Sequence, residues 1–113
     1  MSAVGGAIPP LVINGKTYEF KPGILMNAWA RGRYITVRLD AVNQQIAKSL
    51  NEGELERASE EQGKLWGEFL SLAFTERDAS ELTLDKVTFS DMLEIVMRFT
   101  PAVLVVLLKP ATA

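Results

Sequence analysis

An Asn-Gly pair near the start of the chain limits the possible folds more than any other feature. Asn14-Gly15 stands between two β-prone runs, Leu11–Ile13 and Lys16–Phe20. Both residues tolerate the positive φ of a type I′ turn, which links adjacent antiparallel strands. The pair therefore predicts a β-hairpin, with Tyr18 and Phe20 on a face that can be buried.

Helical periodicity dominates the remainder. Ile24–Ala30 fits a short helix that ends at Arg31-Gly32-Arg33, and the β-branched run Tyr34–Leu39 favours a third strand over a helix. Apolar spacing then predicts helices at about 40–50 and 54–75, a short helical turn opened by Asp78, and a last helix that reaches residue 108. The expected fold is α+β and mainly α-helical, with an N-terminal hairpin, and an optional third strand, packed on three to four amphipathic helices.

Several single residues refine this expectation. Gly63 and Gly67 are expected to permit close packing of a neighbour, and Pro101 is expected to kink the last helix or start a new one. Thr88 with Asp91 predicts the cap of that helix. The apolar residues of the second long helix and of the connector after it are expected to be core, although the aromatic ones could instead form a partner groove: Trp66, Phe69, Phe74, Leu82, Leu84 and Val87.

The predicted organisation is one domain over 11–109, with a flexible arm at 1–10 and a tail at 110–113. The first residues lack the basic start and long apolar run of a signal peptide. Pro101–Leu108 is the most apolar stretch, and it is far shorter than the roughly 20 residues that span a bilayer. No membrane association is therefore expected. The absence of cysteine fits a reducing compartment, and it is also compatible with secretion.

The charge is unevenly distributed. The whole chain carries 12 basic and 14 acidic residues, whereas residues 1–51 carry a net +4 (six basic, two acidic) and residues 52–113 a net −6 (six basic, twelve acidic). The simpler interpretation is that the two parts face each other or solvent; the alternative is that they guide self-association or docking. The overall negative charge argues against nucleic acid as a partner.

The composition excludes most catalytic designs. Without histidine or cysteine, the chain has no Ser-His-Asp triad, no imidazole acid-base group and no thiolate zinc site. Its carboxylates form no cation-binding loop, and its glycines form no phosphate-binding motif. We therefore expect a protein that is not an enzyme and has no cofactor and no metal.

Two segments are candidate contact surfaces. The first interleaves aromatic and guanidinium groups, which can grip acidic peptides or bases; the simpler interpretation is that its tryptophan is core and its arginines pair with the acidic second part. The second is Val103–Leu108, which is apolar on every side and is either core or covered by another subunit. The candidate interface residues are Trp29, Arg31, Arg33, Tyr34, Arg38, Val103, Val105 and Val106.

Residues 11–20, with the sequence LVINGKTYEF, precede amphipathic helices and an acidic second half. In this the chain resembles tail assembly chaperones of long-tailed bacteriophages, although it ends in an apolar helix and a short PATA tail. The resemblance implies a non-enzymatic protein of the host cytoplasm that binds the tape measure protein during tail assembly and forms homo-oligomers. The alternatives are a virion structural subunit, such as a head–tail connector or tail component, and a small regulator or inhibitor of a host protein.

Overall fold

Over residues 10–108 the chain forms two short strands followed by four helices, which confirms the expected mainly α-helical α+β fold. The structure, a computed structural model, describes residues 10–108, and of residues 102–108 the backbone alone. The predicted arm and tail, Pro10 apart, lie outside the described residues. The elements are β1 (Leu11–Ile13), β2 (Lys16–Tyr18), α1 (Met26–Lys48), α2 (Glu52–Ala73), α3 (Glu76–Glu81) and α4 (Phe89–Leu108).

The predicted hairpin is confirmed. β1 and β2 pair antiparallel with Leu11 opposite Tyr18, and the turn residues Asn14 and Gly15 have φ values of 53° and 78°. Such values fit a type I′ turn. Leu11, Ile13 and Tyr18 are buried, so one face of the hairpin lies on the helices.

The predictions for residues 24–50 are wrong in their division of the segment. Residues 26–48 form one helix of 23 residues, so there is no helix end at Arg31-Gly32-Arg33, no strand at Tyr34–Leu39 and no separate helix at 40–50. The β-branched residues are overridden by packing, because the buried positions recur at helical spacing. These buried positions are Trp29, Gly32, Ile35, Thr36, Leu39 and Val42.

The second long helix is confirmed within two residues of its predicted ends. It begins after Asn51, whose side chain accepts a hydrogen bond from the backbone N–H of Glu54. Its core residues, with those of the predicted connector, are buried or packed against the core as expected: Trp66, Phe69, Phe74, Leu82, Leu84 and Val87. The expectation for Gly63 and Gly67 is wrong, because a Cβ at either position would have no described atom within 4 Å.

The two short predicted caps have different outcomes. α3 is capped by Thr75, whose hydroxyl accepts from the backbone N–H of Asp78, so this helix starts earlier than predicted. Thr88 and Asp91 cap α4 reciprocally, each backbone N–H donating to the other side chain at 3.0 Å, as predicted. α4 continues across Pro101, so no new helix starts there.

Candidate protein-binding site

The predicted Arg/aromatic cluster does not form one exposed surface. Trp29 is 4% exposed and belongs to the core, whereas Tyr34 on the next turns of α1 is exposed. The guanidinium of Arg31 lies over the Tyr34 ring, 5.0 Å from its centroid. The structure thus separates the two aromatic residues that the sequence places close together.

Two of the cluster's arginines are paired within the chain. Arg31 donates to both carboxylate oxygens of Glu68 at 2.7 and 2.9 Å, and Arg38 does the same to Glu61 at 2.6 and 3.1 Å. The hydrogen bonds from Arg31 hold the pKa of Glu68 below its usual value. Arginine pairing with the acidic second part, the simpler of the two interpretations, is therefore confirmed for Arg31 and Arg38, whereas Arg33 donates to the Thr36 hydroxyl.

The same pattern appears at the hairpin. The ammonium group of Lys16 forms an ion pair with Glu81, and the Tyr18 hydroxyl donates to the same carboxylate oxygen at 3.0 Å. The basic first part and the acidic second part therefore face each other at three places, counting the two arginine pairs. Half of the six basic side chains of the first part are therefore paired with the second part.

The sequence analysis missed an exposed apolar row on α4. Phe89, Leu93 and Met97 are 57%, 41% and 67% exposed. They follow one another at intervals of four residues, so they lie along one side of the helix. The capping box of Thr88 and Asp91 fixes the helix end from which the row starts. We refer to these three residues as the α4 row.

The α4 row borders a groove between α1 and α4. The groove has a volume of about 230 Å³, its lining is largely apolar, and Phe89 and Leu93 form part of its wall. Leu39 and Met92, both buried, contribute to the lining between the two helices. Polar groups come from the α1 side alone: Thr36, Asp40, Asn43 and Gln44.

Hydrogen bonds hold the polar side of the groove in place. The Asp40 carboxylate accepts from the Gln44 side-chain amide at 3.1 Å. Asn43 donates to the Met92 sulfur at 3.8 Å and accepts from Gln62 at 2.7 Å, so its amide links α1 with both α4 and α2. The rim that a partner would meet is therefore a preformed surface.

A signal for the α4 row was present in the sequence. The apolar positions of α4 are more numerous than one buried stripe can hold, because a helix that buries one side leaves the rest of its circumference in solvent. Met92, Ile95 and Phe99 fill the buried stripe. Phe89, Leu93 and Met97 lie beside this stripe and therefore remain exposed.

The remaining candidates add no chemistry. Val103, Val105 and Val106 are in the last turns of α4, and their side chains lie outside the described part of the chain. Residues 10–101 contain no cluster of acidic side chains that could hold a metal ion. Nor do the described helices include one long and apolar enough to cross a membrane.

No family model, curated protein or solved structure matches this chain. The groove and the α4 row are therefore the features that point to a function.

Proposed function

We propose that this chain is a non-enzymatic assembly protein that binds a helix of another protein in the groove between α1 and α4. The α4 row carries the proposal, because it exposes three large apolar side chains along one side of a capped helix. Amphipathic helices bind by laying apolar side chains, spaced at three and four residues, into such grooves. The partner helix would complete a three-helix arrangement with α1 and α4.

The dimensions of the groove support a helix as its occupant. From Phe89 to Met97 the α4 row extends over about 12 Å at the rise of an α-helix, and the α1 wall extends from Thr36 to Ala47. A partner helix of about three turns would match this length. Its apolar face would cover Phe89 and Leu93, and its flank would meet Asp40 and Gln44.

The resemblance of residues 11–20 to phage tail assembly chaperones suggests the identity of the partner. Under this proposal the partner is the tape measure protein, whose helical segments would be covered during tail assembly, and the chain acts in the host cytoplasm. A gene for a tape measure protein next to the gene of this chain is the expected genomic arrangement. Its absence would contradict this assignment, while helix binding in the groove could still be tested.

Co-expression with that tape measure protein tests the proposal. The wild-type chain should raise the soluble fraction of the tape measure protein, and Leu93→Glu should abolish the increase, because a carboxylate in the groove cannot be paired when the partner helix covers it. Leu50→Glu is the matched control, since Leu50 is fully exposed and does not line the groove. Circular dichroism should show the same helix content for all three chains.

Three results would contradict the proposal. The first is wild-type chain that leaves the tape measure protein insoluble. The second is equal activity of Leu93→Glu and wild type, which would exclude the groove as the binding site. The third is a loss of activity in Leu50→Glu as large as that in Leu93→Glu, which would show a general effect of added charge.

A further inference from the structure

The outward side of α1 carries a second apolar row. Met26, Tyr34 and Val37 are exposed, and Ala30 and Ala41 are exposed on the turns between and beyond them. Their spacing of three and four residues puts all five on one side of the helix, opposite the buried residues. We refer to these five residues as the α1 row.

Two opposite charges border the α1 row. Arg33 and Asp40 are seven residues apart, which is close to two full helical turns, so both lie on the same edge of the row about 10 Å apart. Val37 lies between them along the axis. The α1 row therefore has a positive group towards one end and a negative group towards the other.

The local hydrogen bonds leave both charged groups available. Arg31 and Arg38 on the other edge are engaged by Glu68 and Glu61. Among the described residues, Arg33 instead donates to the Thr36 hydroxyl at 3.2 Å, and no carboxylate pairs with it. Asp40 accepts a hydrogen bond from Gln44 and forms no ion pair with a described residue.

We propose that the α1 row is the interface for a second copy of this chain, with the two α1 helices antiparallel across a two-fold axis near Val37. Such an axis reverses the direction of the helix and keeps each edge on its own side. Arg33 of one copy then faces Asp40 of the other, and the symmetry repeats the pair. The apolar residues of the two α1 rows cover each other between these charges.

Charge complementarity favours a second copy over a different occupant. A helix bound antiparallel to α1 must present a negative group opposite Arg33 and a positive group opposite Asp40, two turns apart. The α1 helix itself presents this arrangement. Opposite charges at an interface fix its register and disfavour other registers by like-charge contacts.

This inference is independent of the proposed function. It uses the outward side of α1, whereas the proposed partner helix occupies the groove that the α4 row borders. Asp40 lies on the edge between these two surfaces and lines the groove as well, so the dimer is measured with the chain alone. A dimer could form without binding any tape measure protein, and the reverse also holds. Leu93→Glu separates the two proposals, because it is expected to abolish partner binding and to leave the dimer in place.

Reciprocal charge changes test the interface. Wild-type chain should sediment as a dimer in analytical ultracentrifugation. Arg33→Asp and Asp40→Arg should each raise the dimer dissociation constant about tenfold or more, because each puts like charges opposite each other twice. The double variant Arg33→Asp/Asp40→Arg should restore the dimer, since it only exchanges the two signs.

Mixing the two single variants gives a second, stricter test. In a mixed pair, two carboxylates on one chain face two guanidinium groups on the other. Native mass spectrometry should therefore detect the heterodimer in excess of both homodimers. If either substitution weakened the dimer by disturbing the fold, adding the other variant, which also dimerises weakly, would not restore dimer formation.

The matched controls change exposed charges of the same sign on α2. Lys64→Asp matches Arg33→Asp, and Glu60→Arg matches Asp40→Arg. Lys64 and Glu60 are exposed and lie outside both apolar rows, so both control variants should remain dimeric. A monomeric wild-type chain at every concentration measured would overturn the proposal. So would single variants that dimerise like wild type, a double variant that stays weak, or a mixture without excess heterodimer.

Discussion

The ring of Phe99 lies directly against the backbone of Gly32, where α4 packs on α1. A Cβ at residue 32 would lie 2.8 Å from Cε2 of this ring, well inside carbon–carbon contact distance. The same ring stacks on Trp29 at 5.1 Å between centroids and meets Phe20 and Phe69 edge-on. Gly32 thus allows Phe20, two residues beyond the hairpin, to join the aromatic residues of the helices in one cluster.

Gly32→Ala should therefore destabilise the fold. The added methyl group forces the Phe99 ring out of its cluster, and overpacking of this kind costs about 1–3 kcal/mol of unfolding free energy. The higher helix propensity of alanine offsets up to about 1 kcal/mol of that loss. Urea denaturation followed by circular dichroism measures the net decrease, which Phe99→Leu in the same chain should partly reverse.

Gly63→Ala provides a control of opposite sign. This glycine is exposed within α2, and a Cβ there meets no described atom within 4 Å. The substitution should raise the unfolding free energy by about 0.5–1 kcal/mol through helix propensity alone. If both variants changed stability in the same direction, steric contact at Gly32 would not be the deciding effect.

The contacts of Glu81 with the hairpin should make stability depend on pH. The hydrogen bond from Lys16, followed in size of effect by the hydrogen bond from Tyr18, lowers the pKa of Glu81. A carboxylate whose pKa is lower in the folded state stabilises the fold above its unfolded pKa of about 4.3, and this contribution is lost as pH falls through the folded value. The hydrogen bond to Glu81 also raises the pKa of Lys16, so the Lys16 contribution is lost only as pH rises above about 10.4.

Comparison of Glu81→Gln with wild type measures this effect. The stability difference between the two chains should be largest between about pH 5 and pH 9 and should shrink as the solution is acidified below about pH 4. Glu76→Gln is the control on the same helix, because Glu76 forms no ion pair with a described residue. A difference that stays constant from neutral pH to pH 3 would contradict a role for the Glu81 charge.

The hairpin could be predicted because its signal is local. Positive φ at Asn14 and Gly15 is a property of those two residues, and the strands follow from the turn. The cap formed by Thr88 and Asp91 is local in the same way. Both predictions needed only a few neighbouring residues, and both are confirmed.

The continuity of α1 could not be predicted by the same reasoning. Ile35, Val37 and Leu39 alternate as in a strand, yet Val37 is exposed while the other two are buried. A helix buries Ile35 and Leu39 on the side that also carries Gly32, and this side packs against residues far along the chain, such as Phe99. Local propensity carries no information on such a contact.

The candidate site was missed for a related reason. A sequence shows which positions of α4 are apolar, but the exposure of Phe89 and Leu93 depends on which side of the helix α1 covers. The pairing of Arg31 and Arg38 with α2 is likewise visible only in three dimensions. The arginine cluster therefore looked like a docking surface, whereas the groove did not.

The capping box of α4 should stabilise the first turn of this helix, from which the α4 row starts. Thr88→Ala removes the hydroxyl that accepts from the Asp91 backbone, and loss of such a cap costs about 1 kcal/mol. Hydrogen exchange should show faster exchange of the first amides of α4. Ser90 is a neighbouring exposed residue, so Ser90→Ala should leave the unfolding free energy and the amide exchange rates nearly unchanged. Equal effects in the two variants would contradict the capping role.

The indole N–H of Trp66 should contribute to stability in addition to the packing of its ring. It donates to the Leu82 carbonyl at 2.8 Å in a buried setting, which ties the connector before α4 to α2. Trp66→Phe leaves that carbonyl unpaired, at a cost of about 1–3 kcal/mol beyond the lost contacts of the larger ring. Trp29→Phe is the matched control, because Trp29 is also buried and forms no described hydrogen bond through its indole. Urea unfolding should therefore show a larger loss for Trp66→Phe, and equal losses would mean that packing alone accounts for both.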